Sequence, residues 1–111
     1  MTKVEVFKRL DGVYTGIKCS GHAGYADKGQ DIVCAAISVL VTNTLNSIEK
    51  FSSAKLDAKM DDDSAVIEAT IRDADVKVAL LIDSMILGLQ QVQSTYGKEF
   101  LTLDVKIKKE V

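Results

Sequence analysis

The 111-residue sequence lacks proline and tryptophan, and it contains a single histidine and only two cysteines. Two cysteines and one histidine cannot supply the four ligands of a structural zinc site, so we expect no bound metal. The glycine-rich fingerprints of Walker-type phosphate loops and of dinucleotide sites are also missing, so we expect no cofactor of those classes. The chemistry is therefore expected to depend on the side chains of the chain itself.

Excess positive charge and a membrane-spanning run are also missing. The 14 basic and 16 acidic residues give a net charge of −2, which argues against a broad grip on nucleic acid. The first dozen residues alternate and turn, unlike a signal peptide. The most apolar stretch, residues 76–89, is short and is interrupted by Lys77, Asp83 and Ser84. We therefore expect a cytoplasmic protein with no direct nucleic-acid or membrane contact, in which both cysteines are free thiols.

Alternation of apolar and polar residues predicts five strands. The first two flank Asp11-Gly12, a pair that predicts a hairpin with a type I′ turn, in which both central residues need a positive φ. A second hairpin is predicted around a turn at residues 61–64. The last strand is predicted at residues 101–107.

Two longer segments have helical periodicity instead. The first runs from Asp31, a good N-cap, to about Lys50, and the second runs from about Asp75 to Tyr96, just before the helix-stopping Gly97. Four apolar residues of the second helix lie outside its main stripe: Val76, Leu80, Ile86 and Leu87. This width indicates burial by the sheet and first helix or by a partner chain.

The order of these elements is ββαββαβ. We predict an α+β fold, with an antiparallel-rich five-stranded sheet and two helices, in a single domain over residues 1–111. The length suits one core and leaves no room for two.

The segment at residues 20–38 differs from the rest of the chain. Four of the seven glycines fall between Gly16 and Gly29, and the only histidine, His22, lies in the same loop. Cys34 follows in the first turn of the predicted helix. Unpaired amides at a helix start carry partial positive charge and stabilise a thiolate, and a nearby imidazole can act as its base.

Two further side chains lie on the same side of this helix as Cys34. At about 100° per residue, Asp31 and Ser38 project within roughly 60° and 40° of the cysteine. Asp31 could orient the imidazole or reinforce the cap, and Ser38 could hydrogen-bond the sulfur or the ring. The first-turn amides of the helix could also stabilise an oxyanion.

Structural explanations compete with these roles. A cysteine in an apolar helix turn is usually a small core residue, and a glycine-rich loop with one histidine is often only a loop. Cys19 shares its strand face with Val13 and Ile17, which favours core packing. The acidic run at residues 61–63 lacks the pattern of a calcium loop and is expected to be a solvated turn.

The segment at residues 21–38, GHAGYADKGQDIVCAAIS, resembles the ribosomal-processing cysteine proteases of the Prp family. The resemblance covers essentially the whole chain and is sharpest at residues 21–23 and 31–36. It implies a cytoplasmic endopeptidase that removes the N-terminal extension of a large-subunit ribosomal protein during ribosome maturation. It also implies Cys34 as nucleophile, His22 as general base, and a homodimer. The free backbone of glycine suggests Gly21 as a hinge that lets the loop order around the substrate peptide.

Two other functional classes stay open at this point. One is a non-catalytic, ribosome-associated binding module that uses the glycine-rich loop. The other is a thiol redox protein in which Cys19 resolves an intermediate formed on Cys34.

Overall fold

The fold consists of one five-stranded sheet and two helices, in the predicted order ββαββαβ. The structure, a computed structural model, describes residues 1–27 and 30–108, so Gly29 of the predicted loop lies outside the described residues. The elements are β1 (Thr2–Lys8), β2 (Tyr14–Ser20), α1 (Ile32–Phe51), β3 (Lys55–Asp61), β4 (Val66–Arg72), α2 (Val76–Tyr96) and β5 (Leu101–Ile107).

The strand order in the sheet is β3-β4-β2-β1-β5. Three of the four pairings are antiparallel, and the fourth, between β1 and β5, is parallel. The sheet is therefore mixed, and the predicted α+β class with mostly antiparallel pairing is confirmed. The β2–β4 pairing sets Ser20 opposite Val66, which brings the start of the glycine-rich loop beside the β3–β4 turn.

The two faces of the sheet differ in polarity. One face is apolar and packs against the helices, and its central residues Val4, Val6 and Ile17 are almost fully buried. On the other face, Glu68 pairs with Lys59 on one side and with Lys18 on the other. Opposite charges therefore alternate across neighbouring strands of the solvent-facing side, which stabilises the pairing modestly.

The helix boundaries agree closely with the prediction. Asp31 and Asp75 are the N-caps of α1 and α2, because their carboxylates accept hydrogen bonds from first-turn amides. Gly97 ends α2 with a φ of 118°, and its N–H donates to the carbonyl of Gln93. The local signals for the start of both helices and for the end of α2 are thus confirmed.

The predicted type I′ turn at Asp11-Gly12 is wrong, although the hairpin itself is present. Only Gly12 has a positive φ, of 87°, and Asp11 does not. The turn is longer: the Gly12 N–H donates to the carbonyl of Arg9, and the Arg9 N–H donates to that of Val13. The Asp11 carboxylate accepts from the Val13 N–H, so the aspartate closes the turn through its side chain.

By length and composition alone, α1 is apolar enough to cross a membrane, with a mean hydropathy of 1.5 over an 18-residue window. The segment with the composition of a membrane span is therefore α1, and not residues 76–89, which the sequence analysis considered. In the fold, α1 packs against α2 and β3 and contributes to the core six side chains, namely Val33, Ile37, Val41, Thr44, Leu45 and Ile48. A core helix passes the same test of length and composition.

Candidate active site

Four of the five predicted site residues line one cavity of about 280 Å³: Gly21, His22, Cys34 and Ser38. The loop supplies the first two, and one face of α1 supplies the other two. His22 and Ser38 are exposed, whereas Cys34 is half-buried. The fold thus brings the only imidazole of the chain and the helix-start thiol to the same space.

The two thiols of the chain differ in accessibility. Both are free, and Cys19 on β2 also lines the cavity, but only 5% of it is exposed. Burial, together with the charge of nearby Cys34, raises the pKa of Cys19 to about 11. Cys19 is therefore a protonated core thiol at neutral pH, as its strand position predicted, and Cys34 is the more accessible of the two.

Asp31 joins the glycine-rich loop to the start of α1. Its Oδ1 accepts from the Cys34 N–H at 2.8 Å, and its Oδ2 accepts from the Tyr25 N–H at 3.0 Å and the Ala26 N–H at 3.5 Å. Burial raises the pKa of Asp31, but these amide hydrogen bonds outweigh it and hold the pKa below its usual value. Of the two predicted roles, the structure places Asp31 in the cap, and none of its described hydrogen bonds reaches His22.

The hydrogen bonds at this N-cap occupy first-turn amides of α1 that the sequence analysis considered as donors to an oxyanion. The Cys34 N–H donates to the Asp31 carboxylate, and the Ala35 N–H donates to the Asp31 carbonyl at 3.1 Å. An oxyanion at these amides would have to displace existing hydrogen bonds. The partial positive charge of the helix start is also partly offset by the carboxylate.

Gly21 is held tightly at the entry to the loop. Its φ is 85°, and its N–H donates to the carbonyl of Ala65 at 3.0 Å. A Cβ at this position would lie 2.7 Å from the carbonyl oxygen of Met1, closer than real Cβ contacts allow. Two constraints, backbone conformation and space, therefore require glycine here.

The cavity has a second wall that the sequence analysis missed. The β3–β4 hairpin contributes six residues to the lining: Met60, Asp61, Asp62, Ala65, Val66 and Ile67. These residues lie about 40 positions from His22 in the sequence. Only the β2–β4 pairing brings them to the loop, and no local pattern in the sequence predicts that pairing.

The acidic run within that hairpin behaves as the predicted solvated turn. Its three aspartates are exposed, and the Asp61 carboxylate accepts from the amides of Asp63 and Ser64. These hydrogen bonds, that from Ser64 first, lower the pKa of Asp61. Within residues 1–27 and 30–108, no three His, Cys, Asp or Glu side chains form a group that could hold a metal ion.

Known proteins share this fold and align with most of the length of this sequence. The ribosomal processing cysteine protease Prp of Staphylococcus aureus is 28% identical over 101 residues, covering 88% of this chain and 93% of the relative. The enzyme of the same name from Bacillus subtilis is 25% identical, covering 86% of this chain and 90% of the relative.

Solved structures extend the likeness to peptide complexes. The S. aureus Prp with a covalently linked product peptide superposes with a TM-score of 0.87 at 27% identity, covering 96% of this chain and all of that chain. The S. aureus Prp with a substrate peptide gives 0.79 at 28% identity, with the same coverage. The family model described as cysteine protease Prp matches residues 1–100. A cavity that joins a helix-start thiol to an imidazole, in a chain matched over most of its length, places this protein in the Prp family of cysteine proteases.

Proposed function

We propose that this protease removes the N-terminal extension of a large-subunit ribosomal protein during ribosome maturation, with Cys34 as nucleophile and His22 as general base. The observation that carries the residue roles is that His22 and Cys34 line the same cavity. The support for the substrate is the name of the S. aureus and B. subtilis relatives, ribosomal processing cysteine protease.

The proposed reaction is acyl transfer through a thioester. His22 takes the thiol proton, and the Cys34 sulfur attacks the scissile carbonyl carbon to form a tetrahedral intermediate. When the intermediate collapses, the C–N bond breaks and His22 gives its proton to the leaving amine. Water, deprotonated by His22, then hydrolyses the thioester and returns the thiol. Ser38, one helical turn beyond Cys34, lines the same cavity, and its proposed role is a hydrogen bond to the sulfur or the ring.

The peptide is proposed to lie extended between the glycine-rich loop and the β3–β4 hairpin. Both segments line the cavity, together with Cys34, Ile37 and Ser38 of α1. Ile37, Val66 and Ile67 give that space an apolar lining, which suits an apolar side chain of the substrate.

The test is to incubate the purified protein with the N-terminally extended ribosomal protein and to follow intact mass. We expect loss of one defined N-terminal peptide with the unmodified enzyme and none with Cys34→Ala. His22→Ala should slow cleavage by roughly 100-fold or more, the usual contribution of a general base. Absence of cleavage by the folded, reduced enzyme would contradict the proposed substrate, and normal cleavage by His22→Ala would contradict the dyad.

Cys19→Ala is the matched control for this experiment. A protease that uses Cys34 alone should keep its activity in this variant, whereas a redox couple of two thiols would lose its function. The buried, protonated Cys19 thiol favours the first outcome. Loss of cleavage by a correctly folded Cys19→Ala variant would reopen the redox alternative.

We also propose a cytoplasmic location and a homodimer. Among the four apolar α2 residues outside the main stripe, Ile86 packs against the core, but Val76, Leu80 and Leu87 stay 83%, 69% and 69% exposed. They fall within about 40° of one another around the helix. The sheet and α1 do not cover this strip, so a second copy of the chain is the proposed cover.

A further inference from the structure

The backbone on either side of His22 is fixed at several points, although the described residues give the imidazole itself no hydrogen-bond partner. The Gly21 N–H donates to the carbonyl of Ala65, and only 2% of Ala23 is exposed. The Tyr25 N–H donates to Asp31. The direction of the imidazole therefore depends on how firmly its chain neighbours are held.

Tyr25 provides an additional attachment through its ring. The ring lies edge-on to Tyr96, with centroids 5.5 Å apart and planes at 77°, and edge-on to Phe100, at 5.2 Å and 75°. Tyr96 is the last residue of α2, and Phe100 immediately precedes β5. Edge-to-face pairs of this geometry attract through the ring quadrupoles. The three rings therefore connect the loop to the end of α2 and the start of β5.

Tyr25 itself lies outside the core and the cavity, whereas its partners Tyr96 and Phe100 pack against the core. Tyr25 is 44% exposed, is not part of the buried core cluster and does not line the cavity. It stands three residues from His22, close enough to fix the loop conformation there. Removing the ring would therefore loosen the loop more than the sheet or the helices.

We propose that Tyr25 is a positioning residue of the protease, whose ring contacts with Tyr96 and Phe100 hold His22 toward Cys34. This rests on the proposed role of His22 as the base. The ring acts through the backbone and touches neither substrate nor nucleophile. Its hydroxyl has no part in the contact, so phenylalanine should replace it.

The experiment compares Tyr25→Ala with Tyr25→Phe in the full chain, using two readouts. Tyr25→Ala should lower kcat for the extended ribosomal protein roughly 10- to 100-fold, as expected for a misplaced catalytic group, and change KM much less. Tyr25→Phe should stay within about twofold of the unmodified enzyme, because it keeps the ring. The second readout, the rate at which iodoacetamide alkylates Cys34, needs no substrate and reports thiol activation directly.

A double-variant cycle on the alkylation rate distinguishes positioning from a general structural effect. If Tyr25 acts only through His22, Tyr25→Ala should slow alkylation in the native protein and should slow it no further in His22→Ala. Phe100→Leu, which keeps a core side chain but removes a ring partner, should slow alkylation in the same direction, and it serves if Tyr25→Ala does not fold.

Three results would overturn the proposal: additive effects of Tyr25→Ala and His22→Ala, equal losses in Tyr25→Ala and Tyr25→Phe, or unchanged rates in the alanine variant. Failure of the proposed function looks different. In that case the unmodified enzyme leaves the extended ribosomal protein uncut, or His22→Ala alkylates as fast as the native protein, before any Tyr25 variant is measured.

Discussion

At Gly21 the structure changes what a substitution would report. If Gly21 is a hinge of the loop, replacing it with alanine should restrict the motion of the loop. The Cβ of any other residue would collide with the carbonyl of Met1, and the φ of 85° is also unfavourable for alanine. Loss of activity in Gly21→Ala would therefore reflect local strain as much as lost motion. The strain has two sources, the positive φ and the overlap with Met1, and a control is needed to separate them.

Gly24 offers that control. It has a similar φ of 76°, but the nearest heavy atom to an added Cβ, the Met1 nitrogen, is 3.9 Å away. Gly24→Ala should lower the free energy of unfolding by about 1 kcal/mol, from the positive φ alone. Gly21→Ala should lower it by about 3 kcal/mol, because strain and overlap combine. Urea unfolding measures both, and equal losses would show that the Met1 contact yields easily.

At the scale of elements, the two helices begin in the same way. Each N-cap aspartate uses one carboxylate oxygen for first-turn amides and the other for a preceding segment. Asp31 reaches Tyr25 and Ala26 of the glycine-rich loop, whereas Asp75 reaches the amide and hydroxyl of Ser53. The two caps are thus close structural counterparts, and only that of α1 adjoins the cavity.

This pairing allows stability and activity to be separated. Asp31→Ala and Asp75→Ala should each lower the free energy of unfolding by about 1 kcal/mol, the usual value of an N-cap. Only Asp31→Ala should also lower kcat, because it releases the segment that carries His22. Denaturation and cleavage assays of the two variants check this, and equal activity in both would show that the Asp31 clasp does not matter for catalysis.

The same two carboxylates predict how stability depends on pH. Amide hydrogen bonds lower the pKa of both groups: that from Ser53 is the main cause at Asp75, and at Asp31 such bonds overcome the opposing effect of burial. A lowered pKa in the folded state adds stability above the ordinary value of 3.8, and this stability is lost as pH falls through the lowered pKa. The free energy of unfolding should therefore change less between pH 7 and pH 3 in the double variant Asp31→Asn/Asp75→Asn than in the native chain.

Elements of this chain could be predicted because their signals are local. Asp31, Asp75 and Gly97 mark helix ends through bonds within a few residues, and alternation marks each strand. The turn at Asp11-Gly12 shows the limit of such signals: a longer loop, in which the Asp11 carboxylate accepts from the Val13 N–H, replaces the two-residue turn that the dipeptide favours. Cys34 and His22 could be proposed from the sequence because residue type alone identifies a thiol and an imidazole, whereas their contacts depend on the fold.

At the scale of the whole molecule, long-range pairing decided what the sequence left open. Parallel β1–β5 pairing and the position of β4 beside β2 depend on contacts between distant segments. The cavity wall formed by Met60, Val66 and Ile67 follows from that arrangement, so it became visible only in the structure. The sequence also left open whether the broad apolar surface of α2 is buried by this chain or by a partner, because both arrangements use the same apolar residues.

The proposed dimer yields a prediction at this scale. Leu80→Glu puts a charge in the middle of the exposed apolar strip of α2 and keeps a good helix former there, so it should convert a dimer into monomers. Leu10→Glu is the control, since Leu10 is 76% exposed and belongs to the β1–β2 turn rather than to the α2 strip. Sedimentation velocity measures the mass, and a native protein that sediments as a monomer would contradict the proposal.

The position of Met1 bears on how the enzyme should be handled. Its carbonyl lies against Gly21, and Thr2 lines the cavity, so residues added before Met1 would start beside the loop that carries His22. β5 runs parallel to β1 from Leu101, opposite Thr2, to Ile107, opposite Lys8, and so ends roughly 20 Å from that loop at about 3.3 Å per residue. An affinity tag is therefore better fused on the C-terminal side of β5, and activity measured with a leading tag would describe a protein with extra residues beside the cavity.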